Sequence, residues 1–407
     1  MTRTVLSNGL VLLVEERPTT ETVAIELSAR VGGREDRRQA GLAVLTSRTM
    51  FQGTPRRPSE AALQREANQV GGLLNRGTSN ELSQLTSTMP AAEVEVGFDL
   101  LADVVLHPLL EEGALERQKQ LALQELIRRR NEPGLAIIDL FTTTFFAGHP
   151  LGSPLLGTEE SIRALTRHDL LAHHDRFWKG SNLVLAVAGR ITAAQATARA
   201  ERFLGTLASG TLNERRAVTP RHPASTKTVQ AEAGQQQLQF WLGFPAPHLQ
   251  HEDRHAVRVL NALMSGSAGR LFEELRNARG LAYVAGSAYS AYTDAGVWQA
   301  VAAVDPANLN AALDVVRTEI QRLRASPPPA EEVIRKINQL SGQEIIAAES
   351  NAARAAQLSA QEILGADSAE ERVRGVRQVT PLAVWRVAQT YLDLNHSLLA
   401  IVRPPEP

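Results

Sequence analysis

A stretch without any apolar period divides this sequence into two halves that repeat the same order of elements. Residues 206–227 are rich in Gly, Ser, Thr, Pro and Arg, a composition typical of a linker. On either side, alternating apolar strands precede amphipathic helices, long polar helices, a buried strand and another helix. Strands and helices that follow one another in separate runs indicate the α+β class. We therefore predict two homologous α+β domains, 1–205 and 228–407.

Local signals support this division at several points. Asn8-Gly9 lies between two apolar runs, and this dipeptide strongly favours a tight turn between antiparallel strands. In the second half, we expect residues 228–243 to form a strand pair. Further elements are predicted as strands at 22–31, 73–90, 183–187 and 397–402, and as helices at 59–70, 91–105, 193–204, 253–264 and 381–392.

Composition excludes several classes of function. A net charge of −1 over 407 residues gives no reason to expect binding to nucleic acid or to an anionic membrane surface. The absence of Cys excludes disulfides, Cys-ligated zinc and a thiol nucleophile. No window approaches the roughly 20 apolar residues of a membrane span, and the apolar run VLLV near the amino terminus is too short for a signal-peptide core. We expect a cytoplasmic protein.

The stretch GLAVLTSRTMFQGT, residues 41–54, carries the first resemblance to a known family. It resembles the metal-binding segment G-L-A-H-L-L-E-H-M-L-F-K-G-T of the inverzincin peptidases, which include pitrilysin, insulysin and mitochondrial processing peptidase. In that family the H-x-x-E-H core places two imidazoles on one helical face, because residues four apart are neighbours there. The intervening Glu lies beside the zinc and activates water.

The metal-binding residues of that core are replaced in this chain. Val44 and Arg48 take the two His positions, and Ser47 takes the Glu position. Val cannot bind zinc, and the permanent charge of Arg repels a cation. Glu125, in LQEL, matches the family's third ligand, but one carboxylate cannot supply the three protein ligands of a catalytic zinc. We predict no metal or other cofactor in this chain.

The resemblance continues along the chain. Asn8-Gly9-Leu10 matches the family's opening N-G-L, and Asn75, Thr78 and Glu81 lie where the family has an N-A-x-T strand facing substrate. The runs at 149–162 and 182–189 match further family segments. The family implies two similar domains, each a mostly antiparallel sheet packed with helices, which clasp a peptide. It also implies that Asn75 and Thr78 bind substrate.

The sequence GRLFEELRNARGLAY, residues 269–283, resembles the family segment S-R-L-F-x-E-L-R-E-x-x-G-L-A-Y. In the family, the Arg of E-L-R and the Tyr of G-L-A-Y reach across to the catalytic domain, and they match Arg276 and Tyr283. A guanidinium and a phenol both donate hydrogen bonds to a carbonyl oxygen that becomes an oxyanion. The alternative is structural: Arg276 caps a helix and Tyr283 packs in a strand.

A second motif offers a different metal site. Residues 251–255, HEDRH, have the H-E-x-x-H pattern of zincins, and Glu274 lies where some zincins have a third ligand. However, two prolines and Asp253 indicate that a helix begins inside this motif. The pair His173-His174 is a weaker candidate, since adjacent helical side chains point about 100° apart.

Some members of the family are heterodimers in which one subunit holds zinc and the other supplies the Arg/Tyr pair. The resemblance therefore implies a non-catalytic, substrate-positioning subunit, inactive alone, whose related partner bears zinc and whose substrate is a peptide or unfolded polypeptide. Two alternatives stay open. One is a scaffold subunit like the processing-peptidase-like core subunits of respiratory complexes. The other is a stand-alone zincin that uses HEDRH.

Overall fold

The computed structural model describes residues 1–220, 225–233 and 237–405. Part of the predicted linker, 221–224, and part of the predicted strand pair, 234–236, lie outside these ranges. The strands are β1 (Thr2–Val5), β2 (Val11–Glu16), β3 (Thr22–Ala29), β4 (Leu73–Thr78), β5 (Ser83–Pro90), β6 (Leu183–Gly189), β7 (Lys227–Glu232), β8 (Leu238–Pro245), β9 (Ala282–Ala291), β10 (Gly296–Val304) and β11 (Leu398–Arg403).

The helices are α1 (Leu42–Met50), α2 (Glu60–Gln69), α3 (Val94–Leu106), α4 (Glu112–Asn131), α5 (Pro133–Phe145), α6 (Glu159–Ala164), α7 (Arg167–Phe177), α8 (Ala193–Leu204), α9 (Arg254–Met264), α10 (Arg270–Phe272), α11 (Leu309–Ala325), α12 (Ala330–Ala347), α13 (Asn351–Leu364), α14 (Ala369–Arg377) and α15 (Pro381–Tyr391). Among the helices of the described ranges, none combines the length and the apolar character needed to cross a bilayer.

The chain forms two compact units. The first contains residues 1–126, 153–216 and 346–368, and the second contains the remaining described residues. Each unit is therefore built from both halves of the sequence. The predicted domain boundaries at 205 and 228 refer to the duplication along the sequence and stay a prediction.

The two sheets have the same strand order. In the first unit the order is β1-β2-β6-β3-β5-β4, and only the β2–β6 pair is parallel. In the second the order is β7-β11-β8-β10-β9, and only the β7–β11 pair is parallel. The second sheet repeats the first without β1. This confirms the predicted α+β fold with two similar, mostly antiparallel sheets.

One expected pairing is wrong. β7 and β8 form where the strand pair at 228–243 is predicted, with β7 starting one residue earlier and β8 ending two residues later, but β11 lies between them and pairs with both. The reason is burial: β11 is buried along almost its whole length, whereas β7 alternates between exposed and half-buried positions. A strand that is apolar on both faces takes a central place, and the more polar strand takes the edge.

Both faces of each sheet are covered. The main core of the first unit lies between its sheet and helices such as α3 and α8. Its other face is covered by α13, whose Ala355, Leu358 and Ile363 pack against residues of β2, β3 and β6. In the second unit α5 has the same role, with Phe141 and Phe145 against β11 and β8. The outer faces of the strands that these helices contact are thereby removed from water, whereas the edge strands β4 and β9 keep exposed residues.

Candidate functional site

The stretch that resembles the metal-binding segment folds as a short helix, α1, with a well-defined start. Gly41 precedes it at φ 93°, a left-handed conformation that favours glycine. A Cβ there would lie 2.6 Å from the Leu156 carbonyl oxygen, so the close approach also requires glycine. The Asp36 carboxylate accepts hydrogen bonds from the backbone N–H groups of Gly41 and Ala43, each at 3.0 Å. Burial of this carboxyl raises its pKa to about 8.

The three positions of the degenerate motif form no metal site. Val44 and Ser47 are buried, and the Ser47 hydroxyl has no hydrogen-bond partner within the described residues. Arg48 Nη2 donates to Glu125 Oε2 at 2.9 Å, so α1 and α4 are joined by an ion pair. The one matching carboxylate is thus held by a guanidinium. These residues do not fit a zinc ion, because no imidazole is present and the remaining carboxylate is neutralised.

The same result holds for the rest of the structure as described. Across residues 1–220, 225–233 and 237–405, no three His, Asp or Glu side chains come together in a way that could hold a metal ion.

Asn75 and Thr78 lie on β4, one of the two edge strands of the first sheet. Asn75 is exposed, opposite Thr86 of β5, and Thr78 is half-buried and accepts a hydrogen bond from the Ser83 hydroxyl at 3.3 Å. An edge strand presents backbone N–H and C=O groups to which an extended peptide can add as a further strand. Glu81 does not face that edge, since it is buried and paired with Arg34 at 2.5 Å.

Arg276 lies in an irregular helical turn. The regular turn of α10 is followed by a π-helical turn, Glu273–Asn277, closed by a hydrogen bond of 2.8 Å from Ala278 N–H to the Glu273 carbonyl. Such a turn contains one extra residue and shifts the directions of the side chains that follow it. The Arg276 side chain is exposed.

Tyr283 lies at a second irregularity, on β9, one of the two edge strands of the second sheet. Ala303 pairs with Val284 and Val304 pairs with Ala282, so Tyr283 is the extra residue of a β-bulge. A bulge redirects a side chain that strict alternation would turn to the other face. Accordingly, the consecutive residues Tyr283 and Val284 are both exposed, at 68% and 48%.

These two irregularities bring Arg276 and Tyr283 together. The Arg276 guanidinium carbon lies 5.0 Å from the centroid of the Tyr283 ring, and Nη1 donates to the Tyr283 carbonyl oxygen at 3.1 Å. A second ring, that of Phe272, lies at 5.0 Å from the same guanidinium carbon. The sequence argument does not single out Phe272, although its position four residues before Arg276 is a usable signal on a helix.

The HEDRH motif does not form a zincin site. α9 begins at Arg254, so His251 precedes the helix and does not share a face with His255. His251 Nδ1 accepts the backbone N–H of Asp253 at 3.1 Å. Asp253 is buried and bonded to Arg386 and to the Tyr391 hydroxyl. Glu274, the suggested third ligand, pairs with Arg279 at 3.3 Å.

The adjacent histidines, His173 and His174, each make contacts that are typical of a structural role. His173 is buried on α7 against the Phe177 ring, and within the described residues neither of its ring nitrogens has a hydrogen-bond partner. Burial lowers its pKa to about 3, with smaller contributions from His174 and Arg176. His174 bonds through Nε2 to the Val105 carbonyl at 2.9 Å. The two rings therefore do not act together.

Comparison with known proteins gives two family matches that together cover most of the chain. Residues 11–159 match the model described as insulinase, peptidase family M16. Residues 164–340 match the model described as the peptidase M16 inactive domain. A protein of Mycobacterium leprae named an uncharacterized zinc protease is 31% identical over 77% of this chain and 71% of its own length.

Two solved structures show the same fold. The peptidase M16 inactive domain from Pseudomonas fluorescens superposes with a TM-score of 0.92 at 20% identity, over 100% of this chain and 98% of that chain. A chain of complex III2 from Candida albicans superposes with a TM-score of 0.85 at 16% identity, over 99% and 95%. At these identities the likeness concerns the fold.

Proposed function

The chain belongs to the insulinase family of peptidases, peptidase family M16, and from this premise we propose that it is the non-catalytic, substrate-positioning subunit of a zinc-dependent endopeptidase. A related subunit with an intact H-x-x-E-H segment completes the enzyme and carries the zinc. One observation carries the proposal. The metal segment is replaced by Val44, Ser47 and an Arg48–Glu125 ion pair, while Arg276 and Tyr283 remain exposed and in contact.

In this proposal Arg276 and Tyr283 donate hydrogen bonds to the carbonyl oxygen of the scissile peptide bond in the partner's active site. Negative charge grows on that oxygen when water attacks, so donors held in place in advance stabilise the transition state more than the bound substrate. The Tyr283 hydroxyl and the Arg276 N–H groups are suited to this role, because both side chains are exposed.

The edge of the first sheet supplies the second part of the proposal. We assign peptide binding to β4, where an extended substrate adds as a strand beside the exposed Asn75. Backbone hydrogen bonds of this kind do not depend on the side chains of the bound peptide, so peptides of many sequences can bind. This suits a peptide or unfolded polypeptide as substrate.

Co-purification with metal analysis tests this assignment. The chain is produced alone and together with a homologue that retains H-x-x-E-H, and zinc content and peptide cleavage are measured for each. We expect no stoichiometric zinc and no cleavage for the chain alone, and a stable heterodimer that contains zinc and cleaves peptides. A chain that stays monomeric and does not bind the homologue contradicts the proposal. If the chain alone contains one zinc per chain and His255→Ala abolishes it, the zincin alternative replaces the proposal.

A second candidate function is a scaffold subunit within a larger complex. The observation that favours it is the fold shared with a chain of complex III2 from Candida albicans. A scaffold requires neither an exposed arginine nor a free phenol, so the exposed Arg276 and Tyr283 favour the peptidase assignment. If the heterodimer cleaves peptides at the same rate after substitution of either side chain, the scaffold function is favoured.

A further inference from the structure

We propose that Phe272 is a positioning residue for Arg276, and this inference rests on the proposed function. The Arg276 guanidinium carbon lies 5.0 Å from the ring centroid of Phe272 and 5.0 Å from that of Tyr283. Both distances are within the range of cation–π attraction. The guanidinium is thus held by two rings, of which only the second belongs to the proposed pair of hydrogen-bond donors.

An exposed arginine needs such support. Its side chain has several rotatable bonds, and immobilising it costs conformational entropy. Within the described residues no carboxylate lies within ion-pair distance of Arg276, and its side-chain hydrogen bond goes to the Tyr283 carbonyl. The two rings therefore provide the remaining contacts that hold the guanidinium.

Phe272 is better fixed than the side chain it supports. It is half-buried, and it lies between Leu271 and the π-helical turn that follows, with Leu271 fully buried in the core of the second unit. The helix so anchored places the Phe272 ring against Arg276. A contact with the Phe272 ring takes up none of the guanidinium N–H groups in a conventional hydrogen bond, so those not bonded to the Tyr283 carbonyl stay available as donors.

Loss of the Phe272 ring is predicted to change the orientation of the Arg276 guanidinium and not the binding of substrate. Without the Phe272 ring, Arg276 keeps its charge and its hydrogen bond, but its guanidinium samples more orientations. A donor that acts in the transition state then loses part of its effect on kcat, while KM changes little. A single exposed cation–π contact corresponds to about a 2- to 5-fold change.

The experiment has two readouts on the same variants. The first is the NMR resonance of the Arg276 Nε–H group in the isolated chain, assigned by its loss in Arg276→Lys. The ring currents of Phe272 and Tyr283, each 5.0 Å from the guanidinium carbon, shift this resonance. The second is kcat of the zinc-containing heterodimer. The variants are Phe272→Leu and Phe272→Trp, with Phe203→Leu as a matched control, since Phe203 lies under Arg202 at 4.9 Å on α8.

We expect Phe272→Leu to move the Arg276 resonance and to lower kcat about 2- to 5-fold, Phe272→Trp to restore both, and Phe203→Leu to change neither. An unmoved resonance in Phe272→Leu overturns the inference, whatever the activity. So does an unchanged kcat in Phe272→Leu when Arg276→Ala lowers it. If the resonance moves but Arg276→Ala leaves kcat unchanged, the proposed function fails while Phe272 still orients Arg276.

Discussion

Individual side chains decide what this chain retains from its family. Three substitutions on α1, at Val44, Ser47 and Arg48, remove every imidazole and the general base of the motif. The three side chains present in this chain are accommodated in different ways. Val44 and Ser47 are buried, while Arg48 remains partly exposed, at 26% for its side chain, and pairs with the leftover carboxylate. The sequence predicts the loss of the metal ligands, but it does not reveal the ion pair, since the two partners are 77 residues apart.

His173 gives a prediction about acid stability. Its ordinary pKa is 6.5, and burial lowers the pKa in the folded state to about 3. Between these values the unfolded chain binds a proton that the folded chain excludes, so the free energy of unfolding falls as the pH falls below 6.5. From pH 6.5 to 5 this one residue accounts for a loss of about 1.6 kcal/mol, slightly less than the full value of about 1.4 kcal/mol per pH unit, because the unfolded imidazole is only half protonated at pH 6.5.

Urea unfolding of His173→Leu at the two pH values measures this effect. We expect the loss between pH 6.5 and 5 to shrink by about 1.6 kcal/mol relative to the wild type. His168→Leu is the matched control, because His168 is exposed on the same helix, α7. A pH dependence of His173→Leu equal to that of the wild type shows that the histidine is not excluded from protonation in the fold.

At the scale of elements, the Arg48–Glu125 pair links α1 to α4 at the place where family members bind zinc. The bond is 2.9 Å long, and the two side chains are 26% and 31% exposed. We predict a modest coupling free energy of about 0.5–1 kcal/mol, because solvent screens a partly exposed pair. A double-mutant cycle with Arg48→Ala and Glu125→Ala, followed by urea unfolding, measures it.

Two outcomes distinguish a pair from two unrelated side chains. If the pair links the helices, the exchanged variant with Arg48→Glu and Glu125→Arg recovers part of the stability lost in either single reversal. Strictly additive effects of the two alanine substitutions mean that α1 and α4 are held by packing alone.

The elements themselves were largely predictable, whereas their irregularities were not. Apolar spacing predicted α9 and β6, and Asn8-Gly9 predicted the turn between β1 and β2. The π-helical turn at Glu273–Asn277 and the bulge at Tyr283 each add one residue to an otherwise regular element. Such insertions depend on contacts with neighbouring elements, which a period along the chain does not encode. The site that holds Arg276 against Tyr283 could therefore be named from the sequence, but its geometry could not.

At the scale of the whole molecule, the chain builds similar sheets twice, and each unit uses a helix from the other half of the sequence. α5 belongs to the second unit, and α13 belongs to the first. The sequence predicted the duplication because it repeats the order of elements. It could not assign α5 or α13 to a sheet, since an amphipathic helix shows only that it has an apolar face and not which surface covers that face.

The central claim is that this chain supplies two hydrogen-bond donors to a metal site on another subunit. It predicts that Tyr283→Phe and Arg276→Ala act on catalysis without acting on the metal. Removal of one such donor typically lowers the rate about 10²- to 10³-fold. Arg276→Lys should not restore the rate, because Lys lacks the planar arrangement of donors. Tyr289→Phe is the control, since the Tyr289 hydroxyl on the same strand donates to the Pro247 carbonyl.

The measurement that tests this most directly is kcat of the assembled heterodimer with each variant, together with its zinc content. The account predicts that kcat falls about 10²- to 10³-fold for Tyr283→Phe and Arg276→Ala, that Tyr289→Phe retains activity, and that the zinc content of all complexes is the same. Peptide cleavage at the wild-type rate in both Tyr283→Phe and Arg276→Ala contradicts it.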